Sequence, residues 1–229
     1  MKLPTLLVVA CLFAISACQA PSHDYSSFEQ YYPTSILVLP PIDATIEVDA
    51  TYGYLSVVTK PLAERGYYVF PVAIVDRMMR ENGLIEPTDM HAVPLEKLVE
   101  VFNPDAVLYV TLTDWGTEYM LFDSQTRVTV TCRLVDADTG VEFWASSKTA
   151  VSSSSSGQSD ILGMLVLAVV NQVTTSISDP TLGVAREAND LVFLNRIDGL
   201  LLGERHSGYA AQRKEMKAAK EEASKEEAE

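Results

Sequence analysis

The amino-acid sequence predicts an α/β domain with a mixed sheet, an antiparallel hairpin in the second half of that sheet, and flanking helices. In the first half of the chain, short apolar runs alternate with segments of helical spacing, which is typical of buried strands joined by helices. In the second half, two segments that alternate apolar and polar residues flank the tight turn Asp138-Thr139-Gly140, and this pattern predicts a hairpin. The 229 residues of the chain suffice for one substantial core.

The first half has the predicted element order β-α-β-α-α-β, which is typical of an α/β layer. Gly66 and the pair Asn82-Gly83 stop the first two helices and Pro104 ends the third, because glycine suits a helix C-cap and proline cannot continue a helix. The predicted elements are, in chain order, a strand over 35–41, a helix over 52–65, a strand over 67–72, helices over 73–81 and 95–102, and a strand over 106–112.

The second half predicts the antiparallel part of the sheet, followed by helices. Strand-like alternation favours three strands, and a serine-rich loop separates them from two helices. The predicted elements are strands over 119–122, 126–135 and 141–149, a loop over 152–157, and helices over 161–173 and 181–194.

The N-terminus has the parts of a secretory signal peptide. Lys2 is followed by an apolar run over 6–15 and by Ser16-Ala17 directly before Cys18, and this run is too short to span a bilayer as a helix. Ile15-Ser16-Ala17-Cys18 resembles the bacterial lipobox, with Ile15 where leucine is commoner. We therefore expect a signal peptide over 1–17 and a lipid on Cys18. The alternative is ordinary secretion, with cleavage near Ala17 or Ala20 and an unmodified Cys18.

The remaining cysteines agree with an exported chain that has no internal disulfide. Cys11 leaves with the signal peptide and Cys18 becomes a thioether, so Cys132 is the single thiol of the mature chain. Because Cys132 lies in the strand-like run over 129–134, we expect it to be a small core residue rather than a nucleophile.

The mature chain is expected to divide into a lipid-attached tether over 18–32, an α/β periplasmic domain over 33–203 and a polar, charged tail over 204–229. Fully extended, the tether would lift the domain about 40 Å from the lipid. Its aromatic residues nevertheless predict that its far end packs on the domain: Tyr25, Phe28, Tyr31 and Tyr32. The tail lacks an apolar stripe from Ala210 onward, which favours an exposed, frayed segment over a coiled-coil segment for a partner.

The charge of the chain argues against nucleic acid as a partner. The chain has 17 basic and 31 acidic residues, a formal net charge of −14, whereas phosphate binding needs clustered lysine and arginine. The same charge opposes binding to an anionic membrane surface, so membrane attachment would depend on the lipid of Cys18. The likeness to bacterial lipoproteins implies that aspartate after the lipidated cysteine favours the inner membrane. Gln19 therefore points to the outer membrane.

Several segments between Tyr32 and Gly203 match, in order, those of a known family. They are YPTSILVLPP (32–41), RGYYVFPV (65–72), DAVLYV (105–110), DWGT (114–117) and LVDADTG (134–140). Together they resemble a family of Gram-negative outer-membrane lipoproteins of undefined function that includes a meningococcal vaccine-candidate antigen. The resemblance implies an α/β domain similar to the amino-terminal domain of the Tol-system periplasmic protein and to the curli-secretion lipoprotein. It further implies a role in envelope assembly or transport with other lipoproteins, and no catalytic residues.

The residues predict no catalytic centre, no metal site and no cofactor. His23, His91 and His206 each lack a second histidine or a cysteine at metal-ligand spacing. The segment 136–140 begins like a calcium loop, but Ser147 stands where the last ligand, a glutamate, belongs, so a hairpin turn explains it better. His91 with Asp89 is the best acid/base pair, and we expect a solvated pair in a loop.

The most apolar predicted helix, over 161–173, is the candidate interface. It leaves almost no polar side over its first ten residues, whereas a surface helix keeps one side polar. We therefore expect this helix to be buried in the domain or packed on another subunit, as in a homodimer. Its interface candidates are Ile161, Leu162, Leu165, Val166 and Val169. Six tyrosines also suggest an interface, although tyrosine equally suits the edge of a sheet: Tyr52, Tyr54, Tyr67, Tyr68, Tyr109 and Tyr119.

These observations lead to three hypotheses for function. The first is a non-enzymatic, lipid-anchored component of the outer membrane, facing the periplasm, that acts in envelope assembly, secretion or transport through contacts with other envelope lipoproteins or secretion components. The alternative is a periplasmic module that binds a small apolar or lipidic ligand. The third is a hydrolase that uses His91 and Asp89.

Overall fold

A mixed sheet of six strands forms the centre of the structure and confirms the predicted fold class. The computed structural model describes residues 25–119, 124–153 and 180–226. The strands are β1 (Ser35–Val38), β2 (Ile42–Asp43), β3 (Tyr68–Val69), β4 (Ala106–Tyr119), β5 (Ser124–Asp136) and β6 (Glu142–Ser153). Their order is β3-β1-β4-β5-β6, with β2 paired to β4, and the sheet is not closed into a barrel.

Parallel pairing in one half and antiparallel pairing in the other make the sheet mixed. β1 lies parallel to β3 and β4, and β2 is also parallel to β4. β4, β5 and β6 form an antiparallel meander, in which Ala106 pairs with Asp136 and Tyr119 pairs with Ser124. At the turn between β5 and β6, Asp136 Oδ1 accepts hydrogen bonds from the backbone N–H and the hydroxyl of Thr139. This contact confirms the predicted hairpin turn.

Helices cover both sides of the sheet. Among the described residues they are α1 (Ser26–Tyr31), α2 (Ala50–Glu64), α3 (Val72–Glu81), α4 (Pro87–His91), α5 (Leu95–Phe102), α6 (Pro180–Asn189), a π-helical turn (Asp190–Leu194) and α7 (Tyr209–Glu226). α1, α2, α6 and the π-helical turn bury their apolar side chains in the larger core. α3, α4 and α5 form a smaller core on Leu37, Leu39 and Val107. No helix within the described residues is long and apolar enough to cross a membrane.

The structure corrects several predicted elements. Tyr119 is the last residue of β4 and does not begin a separate strand, as the prediction over 119–122 had it. Residues 120–122 lie outside the described residues. The strand predicted over 67–72 is too long, because Val72 already begins α3. The sequence does not predict β2 or α4, since two and five residues are too few to show a period. The helix predicted over 181–194 is confirmed as α6 with the π-helical turn.

The far end of the tether packs on the domain, as its aromatic residues predict. Phe28 is fully buried, and its ring centroid lies 5.2 Å from that of Phe143 in β6. Tyr31 stacks on the same Phe143 ring at 5.5 Å. Because α1 belongs to the packed domain, only 18–24 separate it from Cys18, and a fully extended segment of that length spans at most about 25 Å. The expected reach of the tether was therefore too long.

The frayed, exposed tail predicted from Ala210 onward is wrong, because α7 forms there and packs on the domain. The Tyr209 ring lies edge-on to the Tyr32 ring, with their centroids 5.5 Å apart. The Arg213 guanidinium lies 4.7 Å from the centroid of the Tyr32 ring. Met216 packs against the larger core, and Lys220 Nζ lies 3.1 Å from a carboxylate oxygen of Glu29. The pattern was missed because this helix contacts the domain through few side chains, Tyr209, Met216 and the charged groups of Arg213 and Lys220, which form no apolar stripe.

Candidate docking site

Two large apolar side chains protrude from the loop between β2 and α2. Ile46 is 95% exposed and Val48 is 92% exposed. Burying such a side chain stabilises a contact by about 1.5–3 kcal/mol. Large apolar side chains left this exposed beside polar groups mark a candidate interaction surface.

Hydrogen bonds within the loop hold these side chains outward. Asp43 Oδ1 accepts the backbone N–H of Thr45 at 2.8 Å, and Thr45 Oγ1 accepts that of Glu47 at 3.1 Å. The backbone N–H of Ala44 donates to Leu112 O in β4 at 2.9 Å, which ties the start of the loop to the sheet. The loop is thus pre-organised, which reduces the entropy lost when a partner binds.

An open cleft of 490 Å³ lies beside this loop, against the far part of β4 and β5. Trp115, which is 8% exposed, is the most buried of the residues that line this cleft. Its lining carries three carboxylates but a single guanidinium: Glu47, Asp114, Glu118 and Arg127. We call Ile46, Val48 and this cleft the docking site. Its charge favours a partner segment that combines apolar and basic side chains.

Two glycines are needed for the close contacts that shape the docking site. Gly116 has φ +123°, and a Cβ there would lie 3.3 Å from Cγ of Glu47. A Cβ on Gly53 of α2 would lie 2.5 Å from Cζ2 of Trp115. The DWGT segment and Gly53 therefore meet in three dimensions although they are far apart in the sequence.

Sequence reasoning missed the docking site, although a signal was present. Residues 45–49 alternate polar and apolar side chains, as a strand would, yet they follow a strand of only two residues. In contrast, Cys18 and the interface candidates Ile161, Leu162, Leu165, Val166 and Val169 lie outside the described residues, so the lipid site and the apolar-helix interface stay predictions.

The structure does not form the predicted acid/base pair. His91 ends α4 and is half-buried: its Nε2 lies 2.9 Å from Pro40 O, and its ring lies edge-on to Tyr109 at 5.3 Å. Asp89 is exposed two positions earlier in the same helix, and such positions do not face each other. The expected solvated loop pair is therefore wrong. The His91 ring is half-buried and contacts the carbonyl of Pro40, just after β1.

We expect His91→Gln to reduce the loss of stability in mild acid. Burial, with a smaller contribution from Arg133, lowers the pKa of His91 below its usual 6.5. The neutral ring therefore stabilises the fold above pH 6.5, and this stabilisation is lost as the pH falls through the lower pKa of the folded state. Urea unfolding across this pH range measures the effect, with His206→Gln as the control. Equal pH dependence of the free energy of unfolding in wild type and His91→Gln would contradict it.

Other predicted residues lie in the core. Cys132 is fully buried, 3.7 Å from the Tyr54 hydroxyl, and burial raises the pKa of its thiol to about 12, so the prediction of a core residue is confirmed. Tyr54 and Tyr67 are buried, and the Tyr67 hydroxyl donates to Leu201 O. Neither can line an interface. Tyr52 and Tyr68 remain 50% and 44% exposed, Tyr109 is half-buried, and the side chain of Tyr119 is outside the described part.

Comparison with known proteins decides the family. A family model with the description “Putative lipoprotein GNA1162-like” matches residues 23–205, a range that includes the whole docking site. The chain belongs to the GNA1162-like lipoprotein family. This confirms the family resemblance seen in the five segments, and it assigns the chain to a class of lipoproteins. α7 lies beyond the matched residues.

Two GNA1162-like relatives illustrate the match. The “Putative lipoprotein NMB1124/NMB1162” of Neisseria meningitidis serogroup B is 45% identical over 188 residues, which are 81% of this chain and 87% of the relative. The crystal structure of lipoprotein GNA1162 from Neisseria meningitidis is 46% identical, with a TM-score of 0.52 over 62% of this chain and 99% of that one.

Proposed function

We propose that this GNA1162-like lipoprotein is a non-enzymatic component of the outer membrane that binds other envelope proteins in the periplasm. Lipid on Cys18 holds the chain to the membrane, and the docking site binds a partner in envelope assembly, secretion or transport. The observation that carries the proposal is the exposure of Ile46 and Val48 beside the acidic cleft of Trp115.

The position of the docking site relative to the tether supports this proposal. α1, which continues the tether, packs on Phe143 at the start of β6. The adjacent Trp144 pairs with Leu134 of β5, and Arg127 lines the docking cleft at the other end of β5. At about 3.3 Å per residue, Leu134 and Arg127 are about 23 Å apart. The docking site thus lies at the end of the hairpin remote from the anchored helix.

The charge of the docking site favours a different protein over a second copy of this chain. The chain has a net charge of −14, and the docking site is itself acidic, so two copies would bring like charges together. A basic, partly apolar segment of another envelope lipoprotein or secretion component fits better. A homodimer through the apolar segment 161–173 is a separate proposal and does not involve the docking site.

We expect a photoreactive residue in place of Ile46 to crosslink, in intact cells, to one or a few defined envelope proteins. The same residue in place of Val101, which is 57% exposed on α5, is the matched control. A second change, Val48→Arg, should abolish the Ile46 crosslinks, because the new cation repels a basic partner segment and costs free energy when it is buried unpaired. Products identified by mass spectrometry would contradict the proposal if they were identical at both positions or consisted only of this chain.

The other two hypotheses have less support. The binding module for an apolar ligand was suggested by tyrosines and by the segment 161–173, but Tyr54 and Tyr67 are core residues. The hydrolase needs His91 and Asp89 to act together, and α4 directs them apart. Within the described residues, no three His, Cys, Asp or Glu side chains lie in an arrangement that could hold a metal ion.

A further inference from the structure

A second pocket lies where the C-terminal end of α2, the loop over 195–201 and the first turn of α7 meet. Its volume is 260 Å³, and none of its lining residues belongs to the docking site. Its lining side chains include two guanidinium groups, two amides and a hydroxyl but no carboxylate: Arg65, Arg196, Asn195, Gln212 and Tyr25. The pocket is therefore basic, whereas the docking cleft is acidic.

Arg65 is a half-buried cation without a counter-charge among the described residues. Its Nε donates to Phe193 O at 2.9 Å, which fixes the guanidinium against the π-helical turn. Its Nη groups make no hydrogen bond or ion pair within the described part of the chain. Burial lowers the pKa of Arg65, and only two tyrosines, Tyr67 and Tyr25, oppose this effect. A guanidinium partly removed from water in this way is stabilised by an anion that binds it.

The two amides that line the pocket have only donors left, because their oxygen atoms are already used. Asn195 Oδ1 accepts the backbone N–H of Ile197, and Gln212 Oε1 accepts that of Leu202, both at 2.8 Å. A backbone N–H pairs with the oxygen of an amide and not with its nitrogen, so these bonds also fix which atom is the nitrogen. Neither amide nitrogen makes a hydrogen bond within the described residues.

Carbonyl groups along the loop already accept hydrogen bonds. Gly199 O accepts the Tyr25 hydroxyl at 2.6 Å, and Asn195 O accepts the backbone N–H of Gly199 at 3.1 Å. Asp198, the one carboxylate of this loop, does not line the pocket and pairs with Lys148. The pocket thus offers hydrogen-bond donors and positive charge. A ligand that carries negative charge and only acceptors matches it, and an oxyanion has both properties.

Size and position narrow the class of anion. A cavity of about 150 Å³ holds a molecule the size of benzene, so 260 Å³ leaves room for a phosphate group with a short organic part. Arginine binds phosphate through two parallel N–H···O bonds, and amide donors suit the remaining oxygen atoms. Tyr25 lines the pocket and follows Cys18 by seven residues. A membrane that holds Cys18 would therefore bring phospholipid headgroups within about 25 Å of Tyr25.

We propose that this pocket binds a phosphate group, carried either by a phospholipid headgroup or by a soluble phosphate ester. Arg65 and Arg196 supply the positive charge, and the amide N–H groups of Asn195 and Gln212 bind the remaining oxygen atoms. The pocket is separate from the docking site, so this inference does not rest on the proposed function. Only the lipid source of the phosphate needs the anchor on Cys18.

Equilibrium dialysis of the full-length protein in maltoside micelles, which contain no phosphate, against radiolabelled glycerol 3-phosphate tests the proposal. Binding should saturate, and glycerol, which lacks the phosphate, should not bind. Gln212→Glu keeps an acceptor for the N–H of Leu202 but puts a carboxylate in the pocket, so it should weaken binding at least about tenfold. Arg196→Gln should weaken binding by a similar factor. Arg77→Gln on α3 changes the net charge by the same amount and should leave binding unchanged.

The same dialysis with the protein in phosphatidylcholine vesicles distinguishes the two sources of the phosphate. These headgroups carry a phosphate without adding net charge to the surface. Weaker binding of glycerol 3-phosphate in vesicles than in micelles would show that lipid headgroups compete for the pocket. Equal binding in vesicles and micelles would identify a soluble ester as the ligand.

Three results would overturn the proposal: no saturable binding of glycerol 3-phosphate in micelles, wild-type affinity in both Gln212→Glu and Arg196→Gln, or equal weakening in Arg77→Gln. Arg65 is left intact because its Nε holds the π-helical turn. Arg196 is exposed, so its substitution tests the pocket without disturbing the core, and thermal unfolding of each variant checks this. The crosslinks from Ile46 test the docking site separately, so the failure of one proposal leaves the other standing.

Discussion

Cys18→Ser should abolish palmitate labelling, leave the precursor uncleaved and remove the protein from the outer-membrane fraction. A hydroxyl cannot form the thioether that carries the lipid. Each buried methylene of an acyl chain contributes about 0.8 kcal/mol to membrane binding, and without the acyl chains this whole contribution is lost. No described helix can replace it by crossing the membrane. Labelling, processing and fractionation by detergent or sucrose gradient measure the effect.

The matched control for this substitution is Cys11→Ser. Cys11 lies in the apolar run of the signal peptide, so its loss should leave lipidation and sorting unchanged. Labelling that persisted in Cys18→Ser would show that the lipid is attached elsewhere, and the anchored arrangement behind the proposed function would then be wrong.

Phe28→Ala should lower the free energy of unfolding by about 3–5 kcal/mol, the usual cost of removing a buried aromatic ring. The ring is fully buried, and it packs edge-on against Tyr32 at 5.5 Å and Phe143 at 5.2 Å. Urea denaturation of the full-length protein measures the change. Ser27→Ala in the same helix, at an exposed position, should change stability by less than about 0.5 kcal/mol.

A loss of less than about 1 kcal/mol for Phe28→Ala would contradict the packing of α1, because a residue of an unattached tether makes no core contacts. The result matters for function as well as for stability. If α1 is part of the domain, only 18–24 separate it from Cys18, and these residues limit how far the proposed docking site could lie from a membrane that holds Cys18.

α1 and the residue after it pack on α7 at the start of the described part of the chain. Tyr32, directly after α1, contacts both Tyr209 and Arg213 of α7, and Glu29 pairs with Lys220. α7 lies outside the residues that match the family. The helix thus packs beside α1, where the described part of the domain begins.

The interface candidates predicted in 161–173 and the residues of the proposed docking site differ in how visible they are in the sequence. The segment 161–173 is conspicuous in the sequence because its first ten residues leave almost no polar side. Ile46 and Val48 are ordinary residues of a short alternating run, and the feature that distinguishes them is the absence of a covering element among the described residues. Exposure of this kind depends on where distant segments pack, which a local pattern does not record.

The same reason explains why His91 and Tyr67 were misjudged. His91 lies in a short polar stretch. Its role in holding α4 against the sheet depends on the carbonyl of Pro40, which is 51 residues away in the sequence. Tyr67 follows Gly66 at the start of a short strand, and its hydroxyl is buried because Leu201 supplies a carbonyl from 134 residues away.

Local sequence by itself determined the α/β class, the order of the main strands and helices, the turn at Asp136–Gly140, the core position of Cys132 and the burial of Phe28. Each of these follows from side-chain periodicity or from turn-forming residues, which act over a few neighbouring positions. Tertiary structure alone decided the exposure of Ile46 and Val48 and the packing of α7. These depend on contacts between segments far apart in the chain, and the free energy of such contacts comes from burial that no single segment can supply.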